Sequence, residues 1–571
     1  MREPSAARVT FSERMRISAL VADRSRRALV TRALSSPLLR WSHGSPAIDQ
    51  LLIVPQDLRT ADPSFWREIQ HGQFGLAGSI ADLKGRSPFD FQPPTRAWSR
   101  SLHGFGWLRH LQAANTDAAS EVARRLATEW TIRHRHATGV AWEPAVLARR
   151  VISWLSNATL LLEGADRSTY DALLESLGQQ LIALSATWRD APDGVPRLLV
   201  LSALTLSDLC VAGRDRRLEA DARLFAGELA RQILPDGGHR SRHPGIGVEL
   251  LLDLLPLRQC FVARGQAVPM ALNRSIGRMI AMLRHLRMGD GLLARFNGMG
   301  IPSPAALATV LAYDEDEALP AAKLLPSRYQ RLERGGTVLI ADVGRAPPLM
   351  MSSEAHAGCL SFELSAGATL LLVNGGAPGP ADADWRAVSR ASASHNTLVL
   401  GERSSSKIVR HPVLEEILGA PAMRDPGRVD AVISEGEDGS ISLEASHDGY
   451  LADLGILHHR RLTLDASGGR LAGLDRLAPP TGSLRLARDL PLAIHFHLHP
   501  EARVISIDGA RAAVLASGPE RWRMSADGGA LGIEQSIYFA DSAGPRETQQ
   551  IVLRAATFGE SELGWTIERL A

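Results

Sequence analysis

Two histidines and two arginines lie close together in GGHRSRHPG, residues 237–245. His239 and His243 could exchange protons near neutral pH, and Arg240 and Arg242 could hold an anion. The Gly-Gly pair predicts a turn, and the apolar pattern that follows predicts a helix, whose N-terminus also favours anions. A solvated basic loop would look similar. The residues alone leave both interpretations open: a catalytic loop for an anionic substrate and a solvated basic loop.

A second group of polar residues lies in the C-terminal half. Glu354 and His356 are two residues apart in SSEAHAGCLSFEL, so in an extended segment their side chains would point the same way. His395 stands between small residues and a strand-like apolar tail in ASASHNTLVL. Three more histidines alternate along HFHLHP: His495, His497 and His499. Metal ligands and polar strand faces both fit these patterns.

These residues belong to two parts of the chain with different hydrophobic periods. From about residue 115 to 315, apolar residues recur every three or four positions, which predicts consecutive helical hairpins. After roughly residue 330 the period becomes two, with Gly, Asp and Ser turns, which predicts an antiparallel β-sandwich. The predicted domains are a wrapping N-terminal arm (1–100), a helical domain (101–330) and a sandwich (331–571).

Composition narrows the class of protein. With 571 residues the chain is too long for one hydrophobic core, and 45% hydrophobic with 22% charged residues is ordinary for a globular protein. A net charge of +2 gives no reason to expect a nucleic-acid partner. Three scattered cysteines suggest neither a disulfide framework nor a cysteine zinc site. The oligomeric state is not indicated.

No stretch reaches the roughly 18 consecutive apolar residues of a membrane span, so we expect no integral membrane segment. Residues 1–34 are rich in arginine and lack an uninterrupted apolar core of the secretory type. We therefore expect a soluble cytoplasmic protein, with the periplasm or cell envelope as the alternative.

Four segments resemble the heparinase II/III-like proteins: SLHGFGWLRHL (101–111), PDGGHRSRHPGIGVELLLDLLPLRQ (235–259), EAHAGCLSFELSAGATLLLVNGGAP (354–378) and SASHNTLVL (392–400). The resemblance implies a multidomain α + β chain in which an α/α toroid, an incomplete helical barrel, precedes an antiparallel β-sandwich. Members of this family are polysaccharide lyases that cleave uronate-containing chains, such as glycosaminoglycans, by β-elimination. An acidic polysaccharide is the implied partner, bound in the cleft between toroid and sandwich.

β-Elimination requires a neutralised substrate carboxylate, a base for the C5 proton and an acid for the leaving oxygen. The resemblance assigns these roles to His239, His243, Arg242, Glu354 and Arg197. Arg197 follows Pro196 where typical members carry an Asn-His pair, and it could equally be an ordinary arginine at a helix start. Ile246 stands where a catalytic tyrosine would fall, and isoleucine cannot transfer a proton. The residues expected to bind substrate are Arg240, Glu249, Asn297 and Tyr450.

The resemblance also implies a structural zinc in the sandwich, held by His356, Asn374 and His395. Relatives that bind zinc have aspartate where this chain has Asn374, and an amide is a poor neutral substitute. A metal site and a hydrogen-bonded histidine pair both remain open at this point.

Two further functions compete with the lyase. The first is a glycan-binding or envelope protein that kept the architecture and lost catalysis, as Ile246 and Pro196 suggest. The second is a glycoside hydrolase on the same scaffold, which needs two carboxylates. Its possible members are Asp190, Asp193, Asp236 and Glu249.

Overall fold

The computed structural model describes residues 48–570 apart from 137, 302, 315–323, 380–381, 482–488, 510 and 558–560. It also describes Ala6 and the segment 10–22 except for residues 12, 16 and 20. Most of the N-terminal segment that led us to expect a cytoplasmic location therefore lies outside the described residues. The predicted order, helices first and antiparallel strands second, is confirmed.

The helical part is built from consecutive amphipathic helices. In chain order its longer helices are α1 (Ser64–Gln70), α2 (Arg96–Gly104), α3 (Leu108–Ala114), α4 (Asp117–Arg133), α5 (Pro144–Ser156), α6 (Ala158–Leu162), α7 (Arg167–Thr187), α8 (Val195–Cys210), α9 (Asp215–Gln232), α10 (Gly245–Ala263), α11 (Met270–His285) and α12 (Pro304–Leu311). Side-chain caps mark several starts: the Thr116 hydroxyl accepts from the backbone N–H of Ala119, and Asp166 accepts from that of Thr169.

Helix α8 lies at the centre of this domain. It packs against α5, α9 and α10, because its leucines recur at helical spacing on several faces. Leu147 of α5, Leu201 of α8 and Leu251 of α10 are buried in one core. That core continues into the sandwich through Ile340 and Val373, so the two domains share apolar contacts. In the described part of the chain, no helix combines the length and apolarity needed to cross a membrane.

The N-terminal segment contacts both domains. Residues 48–100 form α1 and the hairpin β1 (Gln73–Leu76) and β2 (Ser79–Asp82), whose apolar side chains join the helical core. Further upstream, Glu13 lies 3.0 Å from Arg424, and Ile17 is buried beside apolar residues of the sandwich domain. The arm thus also reaches the sandwich, beyond the helical domain on which we expected it to lie.

The sandwich begins at β3. Its strands are β3 (Tyr329–Arg334), β4 (Thr337–Asp342), β5 (Phe362–Ala366), β6 (Thr369–Leu372), β7 (Leu398–Leu400), β8 (Lys407–Val409), β9 (Ala422–Arg424), β10 (Val429–Glu435), β11 (Ile441–His447), β12 (Leu457–Leu464), β13 (Arg470–Ala478), β14 (Pro491–His497), β15 (Ala502–Asp508), β16 (Ala512–Ser517), β17 (Glu520–Asp527), β18 (Ala530–Tyr538), β19 (Arg546–Ala556) and β20 (Glu562–Arg569). Short helices interrupt them: α13 (Ala383–Ser389), α14 (Pro412–Leu418) and α15 (Leu451–Leu454).

Apart from β8 and β9, which pair as a separate two-stranded sheet, these strands form two layers. One layer is an antiparallel sheet in the order β10-β11-β12-β13-β20-β17-β16-β15. The other consists of β3-β4-β5-β6 and β18-β19-β14-β7, joined by a bridge between Leu372 and Leu498. Alternate side chains of both layers meet in one core, where Trp565 of the first layer stacks on Phe362 with ring centroids 5.7 Å apart. The layer that contains β4 carries the loops that face the helical domain.

Candidate functional site: the interdomain cleft

A cavity of about 1270 Å³ opens between the helical domain and the sandwich. Helices α2, α3, α5 and the start of α8 form one wall, and residues 350–354 with the end of α14 form the other. Arg197, His239 and Glu354, all predicted as catalytic, line this cavity. Ile246 lines it too, so the residue at the position of the expected tyrosine faces the cleft. Residues predicted from the helical domain and from the sandwich thus line one cavity, and their catalytic roles stay predictions.

His239 is buried at the edge of the cleft and bonded at both ring nitrogens. Its Nδ1 accepts the backbone N–H of Ser241 (3.1 Å) and lies 2.7 Å from the Ser241 hydroxyl. This network assigns the proton to Nε2, which donates to Oε1 of Gln232 at 2.9 Å. Burial lowers the pKa of His239 to about 3, and the nearby His243 adds to the effect. The imidazole is therefore neutral at pH 7, and no lone pair is left for a substrate.

His243 lies behind the cleft wall, close to Glu354. Its Nδ1 accepts the backbone N–H of Gly245 at 3.0 Å. Gly298 has a φ of +83°, and a Cβ there would stand 2.7 Å from the Glu354 carbonyl oxygen, so the helical-domain loop can approach only as glycine. Burial lowers the pKa of His243 although Glu354 opposes the shift. Glu354 itself forms an ion pair with Arg386.

Arg242 does not line the cleft and instead joins the two domains. Its guanidinium forms an ion pair with Asp342 of β4 and donates to the Ser327 carbonyl oxygen at 3.1 Å. Asn297 has a similar position, because its Nδ2 donates to Asp342 at 3.0 Å and to the Tyr329 hydroxyl at 2.7 Å. Both residues are buried. They hold the loop of residues 237–245 against the sandwich rather than facing a ligand.

The other predicted binding residues are dispersed. Tyr450 is buried in the sandwich and donates to the Leu398 carbonyl oxygen at 2.9 Å. Glu249 is exposed and lies 3.5 Å from Arg59, beside a smaller cavity. Arg240 is partly exposed and does not line the cleft. None of these three side chains lies on the surface that Arg197 and His239 share.

The carboxylates considered for a hydrolase are also spread out. Asp190 and Asp193 line the cleft. Asp236 is buried elsewhere, where it accepts the backbone N–H of Ser327 at 2.7 Å. Two of the four carboxylates considered for a hydrolase therefore line the cleft, and both lie on the same wall.

The residues expected to bind zinc do come together, but as a hydrogen-bonded pair with an amide. His395 Nδ1 donates to the Ala391 carbonyl oxygen at 2.8 Å, which leaves its Nε2 to accept from His356 Nδ1 at 3.1 Å. Oδ1 of Asn374 accepts the backbone N–H of Asn396 at 3.0 Å, and its buried Nδ2 has no partner. An amide nitrogen cannot bind zinc, and the amide oxygen, which already accepts one N–H, is a poor neutral ligand for it.

Zinc therefore does not fit the donor set at this site. Over the described ranges no group of three or more His, Cys, Asp or Glu side chains is arranged to hold a metal ion. The three histidines of HFHLHP do not converge either: His495 bonds to Gln550 and His497 to Ser536.

Several cleft residues were missed in the sequence. Arg96 and Arg100 of α2 flank Glu143, at 2.7 and 2.8 Å. Arg109 and His110, within the SLHGFGWLRHL segment, complete this wall together with Arg149 of α5: all of them line the cleft. Residues 101–111 were noted for their resemblance to the family, but the spacing of Arg109 and His110 matches no known catalytic or binding motif.

A helical domain followed by an antiparallel sandwich is an architecture that this chain shares with solved heparinase structures. Heparinase III has this fold, with a TM-score of 0.67 and 12% identity over 99% of this chain and 93% of that one. The structure of a mutant of heparan sulfate lyase HepC from Pedobacter heparinus is also similar, with a TM-score of 0.61 and 14% sequence identity. The match covers 99% of this chain and 92% of that one. At these identities the likeness concerns the fold, and it confirms the predicted toroid and sandwich.

Sequence relatives give the family. Residues 317–566 match the heparinase II/III-like C-terminal domain. FtsZ-localized protein C of Caulobacter vibrioides is 31% identical over 536 residues, which cover 92% of this chain and 91% of that protein. The chain belongs to the heparinase II/III-like family.

Proposed function

We propose that this protein binds an acidic, uronate-containing glycan in the interdomain cleft and recognises it without efficient β-elimination. The state of His239 carries this proposal. It is the histidine of the predicted catalytic loop that lines the cleft, and both of its ring nitrogens are engaged within the protein.

Proton transfer is the step for which the cleft is least equipped. A general base works best when its pKa lies near the working pH, and a histidine with a pKa of about 3 is a weak base at pH 7. Ile246 occupies the place of the expected tyrosine. The chain has five tyrosines, and none of them lines the described cleft. Recognition needs no proton transfer, so these features do not oppose it.

Binding of an anionic chain is better supported. Five arginines line the cleft: Arg96, Arg100, Arg109, Arg149 and Arg197. Five acidic residues line it as well, so the cleft has no large excess of positive charge. Selectivity would then come from individual guanidinium forks that match carboxylates in geometry rather than from the overall field.

β-Elimination is the second candidate, because Arg197, His239 and Glu354 line the same cavity. Arg197 could neutralise a uronate carboxylate, since its side chain is 26% exposed and its Nη1 lies as far as 3.7 Å from Asp193. For His239 to act as the base, Ser241 would have to release Nδ1. β-Elimination therefore requires that the hydrogen bonds of His239 rearrange, whereas binding of the glycan requires no such change.

Assays on uronate polysaccharides separate these functions. We expect binding in calorimetry without the ultraviolet absorbance of an unsaturated product, in the wild type and in His239→Ala alike. Absorbance that appears in the wild type and is lost in His239→Ala would overturn recognition without catalysis. New reducing ends without absorbance would indicate a hydrolase, and the absence of binding to every glycan of the panel would refute the glycan ligand.

We also propose that the protein works at the division site, on the cytoplasmic side. The relative from Caulobacter vibrioides is named for its localisation with FtsZ, and it aligns with this chain over nearly the whole length. A fluorescent fusion produced in Caulobacter vibrioides is expected to form a midcell band that coincides with FtsZ. A uniform distribution would contradict this location.

A further inference from the structure

Arg109 lies on the boundary between two cavities. It lines the interdomain cleft and also a smaller cavity of about 190 Å³ inside the helical domain. The smaller cavity is below the roughly 300 Å³ of sites that enclose a whole small-molecule ligand. Only one charged group or a single ring of a bound chain could enter it. Arg109 therefore lies where such a group would pass from the interdomain cleft into the smaller cavity.

Two backbone carbonyl groups hold the Arg109 side chain in place. Its Nε donates to the Thr60 carbonyl oxygen at 3.1 Å, and its Nη1 donates to that of Gly106 at 2.6 Å. A guanidinium has five N–H groups, so three of them remain, two on Nη2 and one on Nη1. Among the described residues none accepts from Nη2. The guanidinium is thus fixed in position while its outer edge stays available.

The other cleft arginines are paired with carboxylates. Arg96 and Arg100 share Glu143 at 2.7 and 2.8 Å. Arg149 forms a two-pronged pair with the buried Asp253, at 2.8 and 2.7 Å. Within the described ranges no carboxylate lies within 4.0 Å of Arg109, which distinguishes it from its neighbours in the cleft.

The surroundings of Arg109 favour an added anion. Burial lowers the pKa of Arg109, and Arg59 and Arg149 add to the effect, while Asp57 and Glu249 oppose it from a distance. Asp57 and Glu249 line the inner cavity but do not contact the guanidinium, and an oxyanion in direct contact would stabilise this partly desolvated cation further. A guanidinium edge with two parallel N–H directions suits a carboxylate or a sulfate.

We propose that Arg109 is the anion-recognition residue of the cleft and binds a carboxylate or sulfate of the glycan through Nη2 and the remaining N–H of Nη1. This inference rests on the proposed glycan-binding function and assigns the contact that sets its charge selectivity. The inner cavity would receive the sugar ring or group that carries this anion.

The test compares Arg109→Gln with Arg223→Gln, which removes an exposed arginine of α9 that pairs with Glu219 at 2.6 Å and lines neither cavity. Binding of an unsulfated uronate oligosaccharide, a sulfated oligosaccharide without uronate and a neutral one is measured by calorimetry. We expect Arg109→Gln to weaken binding of at least one anionic oligosaccharide about 10- to 100-fold, whereas Arg223→Gln changes it less than about threefold. The oligosaccharide that loses affinity identifies the anion.

Two further variants guard against misfolding. Arg109→Lys keeps the charge without the fork and is expected to bind with intermediate affinity. In Gly106→Ala the new Cβ would stand 3.2 Å from Nη1 of Arg109, so it should displace the guanidinium and weaken binding although Arg109 is unchanged. Unchanged affinity in Arg109→Gln, with the wild type binding normally, would overturn the role of Arg109 and leave the glycan proposal intact.

A separate probe covers the case in which no oligosaccharide binds the wild type. Inorganic sulfate, compared with chloride at equal ionic strength, should slow modification of Arg109 by phenylglyoxal and leave Arg96 unaffected, as followed by peptide mass spectrometry. Protection would support the anion site while the glycan proposal failed. Equal modification rates in sulfate and chloride would overturn the anion site itself.

Discussion

Lowering the pH from 7 to 5 is expected to destabilise this protein by several kcal/mol. The cause is its buried histidines, most of which have pKa values below the ordinary 6.5. His458 shows why: its Nε2 donates to Asp475 at 2.7 Å and its Nδ1 lies 3.2 Å from Nε2 of His447. Two neutral imidazoles satisfy this chain of bonds, and a proton added to either would break one of them.

The direction follows from proton linkage. Burial lowers the pKa of His285 and of His395 to about 4 in the folded state. Below pH 6.5 the unfolded chain therefore binds more protons than the folded one, and stability falls until the pH passes the folded pKa. Between pH 7 and pH 5 each such histidine lowers the free energy of unfolding by about 2 kcal/mol. Total stabilities are roughly 5–15 kcal/mol, so a few such residues dominate the pH dependence.

Two buried acids act in the opposite direction. Burial raises the pKa of Asp208 and of Glu363 to about 7, so each gains a proton on acidification and offsets about one histidine. The histidines outnumber them. Urea unfolding at pH 7, 6 and 5 measures the sum, and His395→Gln should flatten the pH dependence by about 2 kcal/mol. A free energy of unfolding that stays constant from pH 7 to 5 would contradict the prediction.

Replacing Asp342 with alanine is expected to destabilise the protein by about 3–5 kcal/mol and to abolish ligand binding in the cleft. Asp342 forms the ion pair with Arg242 and accepts from Asn297 Nδ2 at 3.0 Å and from the backbone N–H of Gly344 at 2.9 Å. Its loss leaves the Arg242 charge buried without a partner. Because Arg242 is in the helical domain and Asp342 in the sandwich, the cleft between them should loosen.

Glu435→Ala is the matched control, because it removes a carboxylate from another strand of the sandwich. Glu435 pairs with Arg334 at 2.9 Å, but its side chain is 70% exposed, so its loss should cost less than about 1 kcal/mol. Urea unfolding gives the stability, and limited proteolysis between the domains reports loosening. Equal stability of the two variants would show that the buried pair does not hold the domains together.

Much of the fold follows from local pattern. The change of hydrophobic period near residue 330 coincides with the passage from α12 to β3, because helices and strands each expose one face at a fixed repeat. Residues 101–111 and 235–259 were also informative, since they line the cleft that the resemblance implied. The contact of the N-terminal arm with the sandwich was not predictable, because Glu13 and Arg424 are 411 residues apart in the sequence.

Residue types alone determined what the candidate site contains: imidazoles, guanidinium groups and, at Ile246, a side chain that cannot carry a proton. Tertiary structure alone decided which of these groups are free to act. Gln232 and Ser241 occupy both nitrogens of His239, and Asp342 draws Arg242 away from the cleft. Arg109 donates to two backbone carbonyl groups and has no described carboxylate within 4.0 Å. The physical reason is that pairing and desolvation depend on neighbours brought together by folding, which sequence spacing does not specify.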